Sequence, residues 1–145
     1  MKTPFRLVLM LTLCLGVAGG AVALGGFEST PQGVQFKDLQ VGQGDSVSEG
    51  DVAVMHLVGW LAEDDQRGRE IFNTRNRGEP VSFVVGTEKV MPGWNLGVVG
   101  MRTGGRRLLL VPPGLAYGHK GVAGVVPADA SMMFLIELLS VEKAE

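Results

Sequence analysis

From residue 34 to residue 141, apolar and polar positions alternate in short runs separated by turn-forming residues, a pattern of strands rather than helices. Val34-Gln35-Phe36-Lys37-Asp38-Leu39 opens the series, and Gly42–Asp45 and Glu49-Gly50-Asp51 read as turns. Val52–Leu61 alternates most clearly. Val52, Val54, His56, Val58 and Trp60 face one way, and Ala53, Met55, Leu57 and Leu61 the other. Both sets are largely apolar, which predicts a strand in the interior of a sheet. Glu63–Gly68 is polar and predicts a hairpin loop, after which Glu70-Ile71-Phe72 resumes a strand. Val81–Val85, Arg106–Val111 and Ser131–Val141 are further strands, the last with Met132, Phe134, Ile136 and Leu138 on one face. A helical period occurs once. Trp94, Val98 and Met101 fall at i, i+4 and i+7, predicting a helix over Gly93–Met101 behind Pro92. Gly97 and Gly100 each weaken it by about 1 kcal/mol relative to alanine. Gly114–Pro127 is a long glycine-rich loop. The sum is an α+β domain with five to six mostly antiparallel strands and one short helix.

The N-terminal segment follows another rule. Lys2 and Arg6 precede a Leu/Val-rich run from Leu7 to Val17, and Ala21-Val22-Ala23 supplies a small-x-small cleavage pattern. Residues 1–23 therefore read as an export signal. Because no charge occurs from Leu7 to Phe27, the alternative is an uncleaved membrane anchor. The shortness of the apolar run and the glycines after Val17 favour cleavage. Residues 24–33 read as a linker and 34–145 as the domain, acting in an exported compartment, the periplasm first, or tethered to a membrane by the N-terminal segment. The one cysteine, Cys14, lies in the signal, so the domain needs no disulfide.

Composition then excludes several classes. The formal net charge is −2, with no basic excess for nucleic acid, and no cysteine remains for a zinc knuckle. There is no Walker loop, Gly-x-Ser-x-Gly elbow or dinucleotide fingerprint. Glu63-Asp64-Asp65 reads as a solvated turn, His56 and His119 as isolated histidines rather than metal ligands, and Arg102, Arg106 and Arg107 as a solvated end of the sheet. No metal or cofactor is expected, and no helix suits a dimer seam, so a monomer is expected.

Several motifs stand in a recognisable order. Val90-Met91-Pro92-Gly93-Trp94 is followed by Gly97-Val98-Val99-Gly100-Met101 and Gly104-Gly105-Arg106-Arg107. Val111-Pro112-Pro113 leads to Leu115-Ala116-Tyr117-Gly118, then Gly124-Val125-Val126-Pro127, and a closing run holds Phe134, Glu137, Leu138 and Leu139. In order, spacing and residue type, the chain from Val34 onward resembles the FKBP-type peptidyl-prolyl cis-trans isomerases, the macrolide-binding immunophilins. The resemblance implies a curved antiparallel sheet wrapped around one short helix. It also implies proline-containing polypeptides as substrates, macrolides as further ligands, and no cofactor. Rotation about an Xaa-Pro bond faces a barrier of ~18–20 kcal/mol and takes ~10–100 s unaided. The twisted amide is less dipolar than the planar one, so a dry apolar pocket with one or two donors favours it.

By that resemblance Trp94 would be the pocket floor, and Phe72 and Phe134 its walls. A backbone N–H of Val90 or Met91 would hold a substrate carbonyl, Tyr117 would donate its hydroxyl to another, and Val125 would border the pocket. The chain also departs from the family pattern. Leu57 stands where a pocket tyrosine is usual, Val81 replaces a common phenylalanine, and Val122 occupies a variable position that can hold histidine. Phe72-Asn73-Thr74 is one residue shorter than the usual run, so Asn73 replaces an aspartate and brings an amide without charge. Two readings follow: an isomerase acting on exported proteins, and a non-catalytic FKBP-like chaperone or binding domain using the same pocket.

Overall fold

The computed structural model describes residues 26–144, so the signal or anchor reading of residues 1–23 lies outside the described residues. Seven antiparallel strands form one sheet: β1 (Glu28–Ser29), β2 (Gln35–Gln40), β3 (Val52–Glu63), β4 (Gln66–Asn73), β5 (Val81–Val84), β6 (Arg106–Val111) and β7 (Met132–Glu142). Their order is β1-β2-β6-β7-β3-β4, with β5 also on β3. A four-residue helical turn, α1 (Thr74–Arg77), follows β4, and the helix α2 (Pro92–Val98) precedes β6. A single 3₁₀ turn, Pro113–Leu115, opens the glycine-rich loop. This is the α+β architecture expected, with the additional strand β1 pairing Glu28 with Phe36 and Ser29 with Gln35. The sheet thus begins inside the segment read as a linker. Among the described residues no helix is long and apolar enough to cross a membrane.

β3 occupies the interior position that its two apolar faces predict. Ala53, Met55, Leu57, Gly59 and Leu61 are buried on the inner face, while Val52, Val54, His56, Val58 and Trp60 are half-buried on the outer one. β7 lines one flank along almost its full length, and the other flank is shared end to end by β5, against Val52–Met55, and β4, against Val58–Glu63. Between them His56 and Leu57 have no neighbouring strand on that flank. Thr74, fully buried at the start of α1, fills the gap. Its Oγ1 accepts from the Leu57 N–H (2.9 Å), lies 3.3 Å from the Leu57 carbonyl, and meets His56 Nδ1 at 2.8 Å. A side-chain hydroxyl here replaces a ladder hydrogen bond, as a buried backbone pair requires.

Three local expectations are corrected. The Glu63–Gly68 loop is a two-residue hairpin turn: β3 runs to Glu63, β4 starts at Gln66, and Asp64 and Asp65 both have positive φ (54° and 63°). Such a turn matches the twist of the two strands. The helix stops at Val98 rather than Met101, because Val99 turns extended and Gly100 takes φ +90°. The backbone then pairs with Val47, whose N–H donates to Met101 and whose carbonyl accepts from Gly100. Finally, Arg107 is not solvated. It is 5% exposed, forks onto Asp38 (2.7 and 3.2 Å) and donates to the Gly97 and Val99 carbonyls (2.9 and 3.1 Å) at the end of α2. A buried cation thereby satisfies carbonyls that the short helix leaves open.

A second buried charge ties β3 to the residues after β7. The carboxylate of Asp51 accepts from Ser48 N–H (2.9 Å), Lys143 Nζ (2.7 Å) and Ala144 N–H (2.8 Å). The Lys143 hydrogen bond, then the two backbone donors, hold its pKa down at about 2 from 3.8. A carboxylate whose pKa is depressed by folding adds stability above its unfolded value and loses it as pH falls through the folded one. The urea midpoint should therefore fall between about pH 4 and pH 2. In Asp51→Asn that dependence should flatten, and in Lys143→Met it should narrow. Parallel curves for all three proteins would assign the acid sensitivity to other carboxylates.

Candidate functional site

The site is built where α2 crosses the inner face of the sheet. Gly93 and Gly97, one turn apart, lie directly on β6. A Cβ on Gly97 would sit 2.5 Å from Leu109 Cδ1, and one on Gly93 would overlap Val111. With no side chain on either glycine, the helix backbone packs directly on the Val111 and Leu109 side chains, and the indole of Trp94 is carried over β7. Its ring lies edge-on to Phe134, centroids 5.7 Å apart at 85°. Phe72 and Phe83 flank it at 6.4 and 6.1 Å. These separations are in the range of attractive aromatic pairs.

Strand register explains why the walls converge. Phe72 on β4 pairs with Gly59 on β3, and Gly59 pairs with Phe134 on β7. A Cβ at Gly59 would stand 2.8 Å from Phe134 Cε1 and 3.5 Å from Phe72 Cβ. Glycine at this position lets the Phe134 ring lie against the β3 backbone, so Phe72, Phe134 and Trp94 cluster on the inner face. The indole Nε1 is buried and has no hydrogen-bond partner among the described residues.

The structure therefore brings Trp94, Phe72 and Phe134 together, as the sequence reading expected. Leu57 is buried in the same hydrophobic cluster, and Val81, Val90 and Met91 are partly buried against it. The N–H groups of Val90 and Met91 bond to no described backbone, while the Met91 carbonyl accepts from Trp94 and Asn95 to start α2. Tyr117 and Val125 stand exposed on the Gly114–Pro127 loop (42% and 41%). The Val125 carbonyl accepts from Arg69 (2.6 Å), and Val122, paired with Val126 in a tight turn, is exposed as well. Two residues escaped the sequence reading. Phe83 shares a face with Val81 and Val85, so the period-2 pattern of β5 carried the signal. Gly59 carries no local signal of its role, which follows only from the register of β4, β3 and β7.

Asn73 has a structural task. Its Oδ1 accepts from the N–H groups of Arg75 (3.0 Å) and Asn76 (3.4 Å), capping α1. Its amide oxygen is thus turned toward backbone donors. The adjacent wall carries a cation instead of a carboxylate: the Arg77 guanidinium lies 5.1 Å over the Phe72 ring. Elsewhere, Arg75 is ion-paired with Glu137 on the outer face, and His119 contacts Asp129 at 3.1 Å. Replacing the cap in Asn73→Ala should lower unfolding free energy by about 1 kcal/mol in urea titrations, whereas Asn73→Asp, an equally good cap, should stay within a few tenths.

Comparison with known proteins identifies the family and the fold. A model of the family described as FKBP-type peptidyl-prolyl cis-trans isomerase matches residues 44–139. FK506-binding protein 4 of Gibberella zeae is 39% identical over 111 residues, covering 77% of this chain and 21% of that protein. FK506-binding protein 2 of Yarrowia lipolytica is 38% identical over 94 residues, covering 65% of this chain and 62% of that one. The chain spans only about a quarter of the length of the FK506-binding protein 4 relatives that it matches. Among solved structures, FkpA from Escherichia coli superposes with a TM-score of 0.72 at 32% identity, over 90% of this chain and 58% of that one. AtFKBP13 gives 0.68 at 34% identity, over 79% and 97%.

Proposed function

The chain belongs to the FKBP-type peptidyl-prolyl cis-trans isomerase family, and on that premise we propose that it accelerates rotation about Xaa-Pro bonds in polypeptides held in a hollow bordered by Trp94, Phe72 and Phe134. The observation that carries the reading is the convergence of Trp94, Phe72 and Phe134 around Gly59. A proline ring packed on the indole would leave its amide in surroundings poor in water and charge. The planar amide, stabilised by resonance and dipolar, loses more from that environment than the twisted one. The N–H of Val90 or Met91 and the Tyr117 hydroxyl are the donors for the flanking carbonyls, and neither requires a change of covalent bond or a metal. FK506-type macrolides are candidate ligands of the same hollow, as the relatives' names suggest.

Asn73 favours a second reading, a binding domain without turnover, because its amide oxygen is committed to the cap of α1 and supplies no carboxylate field. Relaxation of a cis-enriched Xaa-Pro peptide decides between them. The protein should shorten the ~10–100 s thermal relaxation, and Tyr117→Phe should lower kcat/KM roughly threefold to tenfold, the worth of one hydrogen bond. Trp94→Phe, which keeps an aromatic ring, should weaken peptide binding without unfolding the domain. A rate equal to that in buffer, with peptide binding retained by calorimetry, would establish the second reading.

The place of action in this proposal is outside the cytoplasm, on the strength of the signal-like residues 1–23. The intact mass of protein recovered from the exported fraction should correspond to a chain starting at Leu24. A mass that includes Met1–Ala23 would mean a membrane-anchored form.

A further inference from the structure

A depression of about 350 Å³ lies between β4 and the segment 120–128. Val126, which lines it, belongs to the buried cluster that contains Trp94 and Phe134. Its outer surface is apolar, with Val122 and Val125 both more than a third exposed. Its only charged lining residues are Arg69 and Lys120. Neither has a carboxylate within ion-pair distance among the described residues, and the nearest acidic residue along the loop, Asp129, faces His119 at 3.1 Å. Arg69 uses one N–H on the Val125 carbonyl (2.6 Å), which pins the loop to β4; a guanidinium has further donors to spare. Arg77, beyond the other end of β4, lies over Phe72 and likewise has no carboxylate partner among the described residues, but it does not line the depression.

We propose that this depression is a subsite for the stretch of polypeptide flanking the proline, and that Arg69 and Lys120 select stretches bearing carboxylates among apolar side chains. The inference rests on the proline-pocket reading above and adds substrate selection to it. The formal net charge of the chain is −2, so the protein as a whole does not attract acidic peptides. A preference for them has to come from these local cations, in a hollow with no carboxylate of its own.

Four fluorescein-labelled peptides test it, each with a central Leu-Pro and two Glu or two Lys placed either before or after it. At low salt the Glu peptide should bind roughly three- to tenfold tighter than the Lys peptide in one of the two placements, the worth of two exposed ion pairs. The ratio should shrink at 0.3 M salt as screening shortens the reach of the charges. It should approach one in the Arg69→Gln/Lys120→Gln double variant. Lys120→Gln alone, which removes no described contact, should give an intermediate ratio and guards against loss of loop geometry. Equal affinities, or a preference that the variants leave intact, would overturn the subsite while leaving the proline pocket standing. Failure of all four peptides to bind would overturn the pocket reading, and the subsite with it. A concentration-dependent dimer in light scattering that the double variant abolishes would assign the depression to a second copy of the chain and overturn the proposal.

Discussion

Everything in the inner face depends on the approach of α2 to β6. A seven-residue helix has little stability of its own, since most of its hydrogen bonds fall among the unsatisfied terminal groups. It persists because Gly93 and Gly97 let its backbone lie on Val111 and Leu109, and because Arg107 satisfies its last carbonyls from below. Gly97, which weakens the helix as an isolated segment, is thus also one of the residues that allow it to sit there. Trp94, between the two glycines, is thereby fixed at a height where its ring meets Phe134 instead of standing clear of the sheet. A methyl group at either glycine would lift the helix and, with it, the floor of the hollow.

Much of this was legible in the amino-acid order. Alternation located every strand of four or more residues, because burial on one face of a sheet imposes a period of two. It also gave the interior position of β3. The aromatic residues of the hollow were legible through the resemblance of their surrounding motifs, Trp94 above all. What the sequence could not display were relations between distant residues. Arg107 and Asp38 meet across paired strands, 69 positions apart, and nothing in either neighbourhood distinguishes a buried pair from two solvated charges. Thr74 satisfying Leu57 depends on where β4 stops and β5 starts along a common neighbour. Gly59 acquires meaning only once β4, β3 and β7 are placed in register. Helix periodicity overran by three residues, since Met101 is buried as the stripe requires but through a backbone turn toward Val47.

Asn73 shows how one position can carry two demands. As a cap for α1, asparagine and aspartate are nearly equivalent. As part of a wall, they differ by a full charge beside an aromatic ring that already lies under a guanidinium. The change therefore leaves the backbone of α1 undisturbed and alters the electrostatic character of the rim, which becomes cationic through Arg77 and, farther along, Arg69 and Lys120. Fold and field are separable at this site, since the cap holds α1 with either residue while the charge it carries differs.

The place of β7 sets a condition on how the molecule comes together. Strands β1, β2 and β6 form one half of the sheet and β3, β4 and β5 the other, and only β7 hydrogen-bonds to both. Translated from its N-terminus, the chain produces both halves before Met132–Glu142 exists to join them. Until then the two half-sheets expose open edges and an uncovered inner face, and the contacts that close them link residues far apart in sequence, the kind that form slowly. The last strand acts as a bolt between the two halves, which close into one sheet only through it.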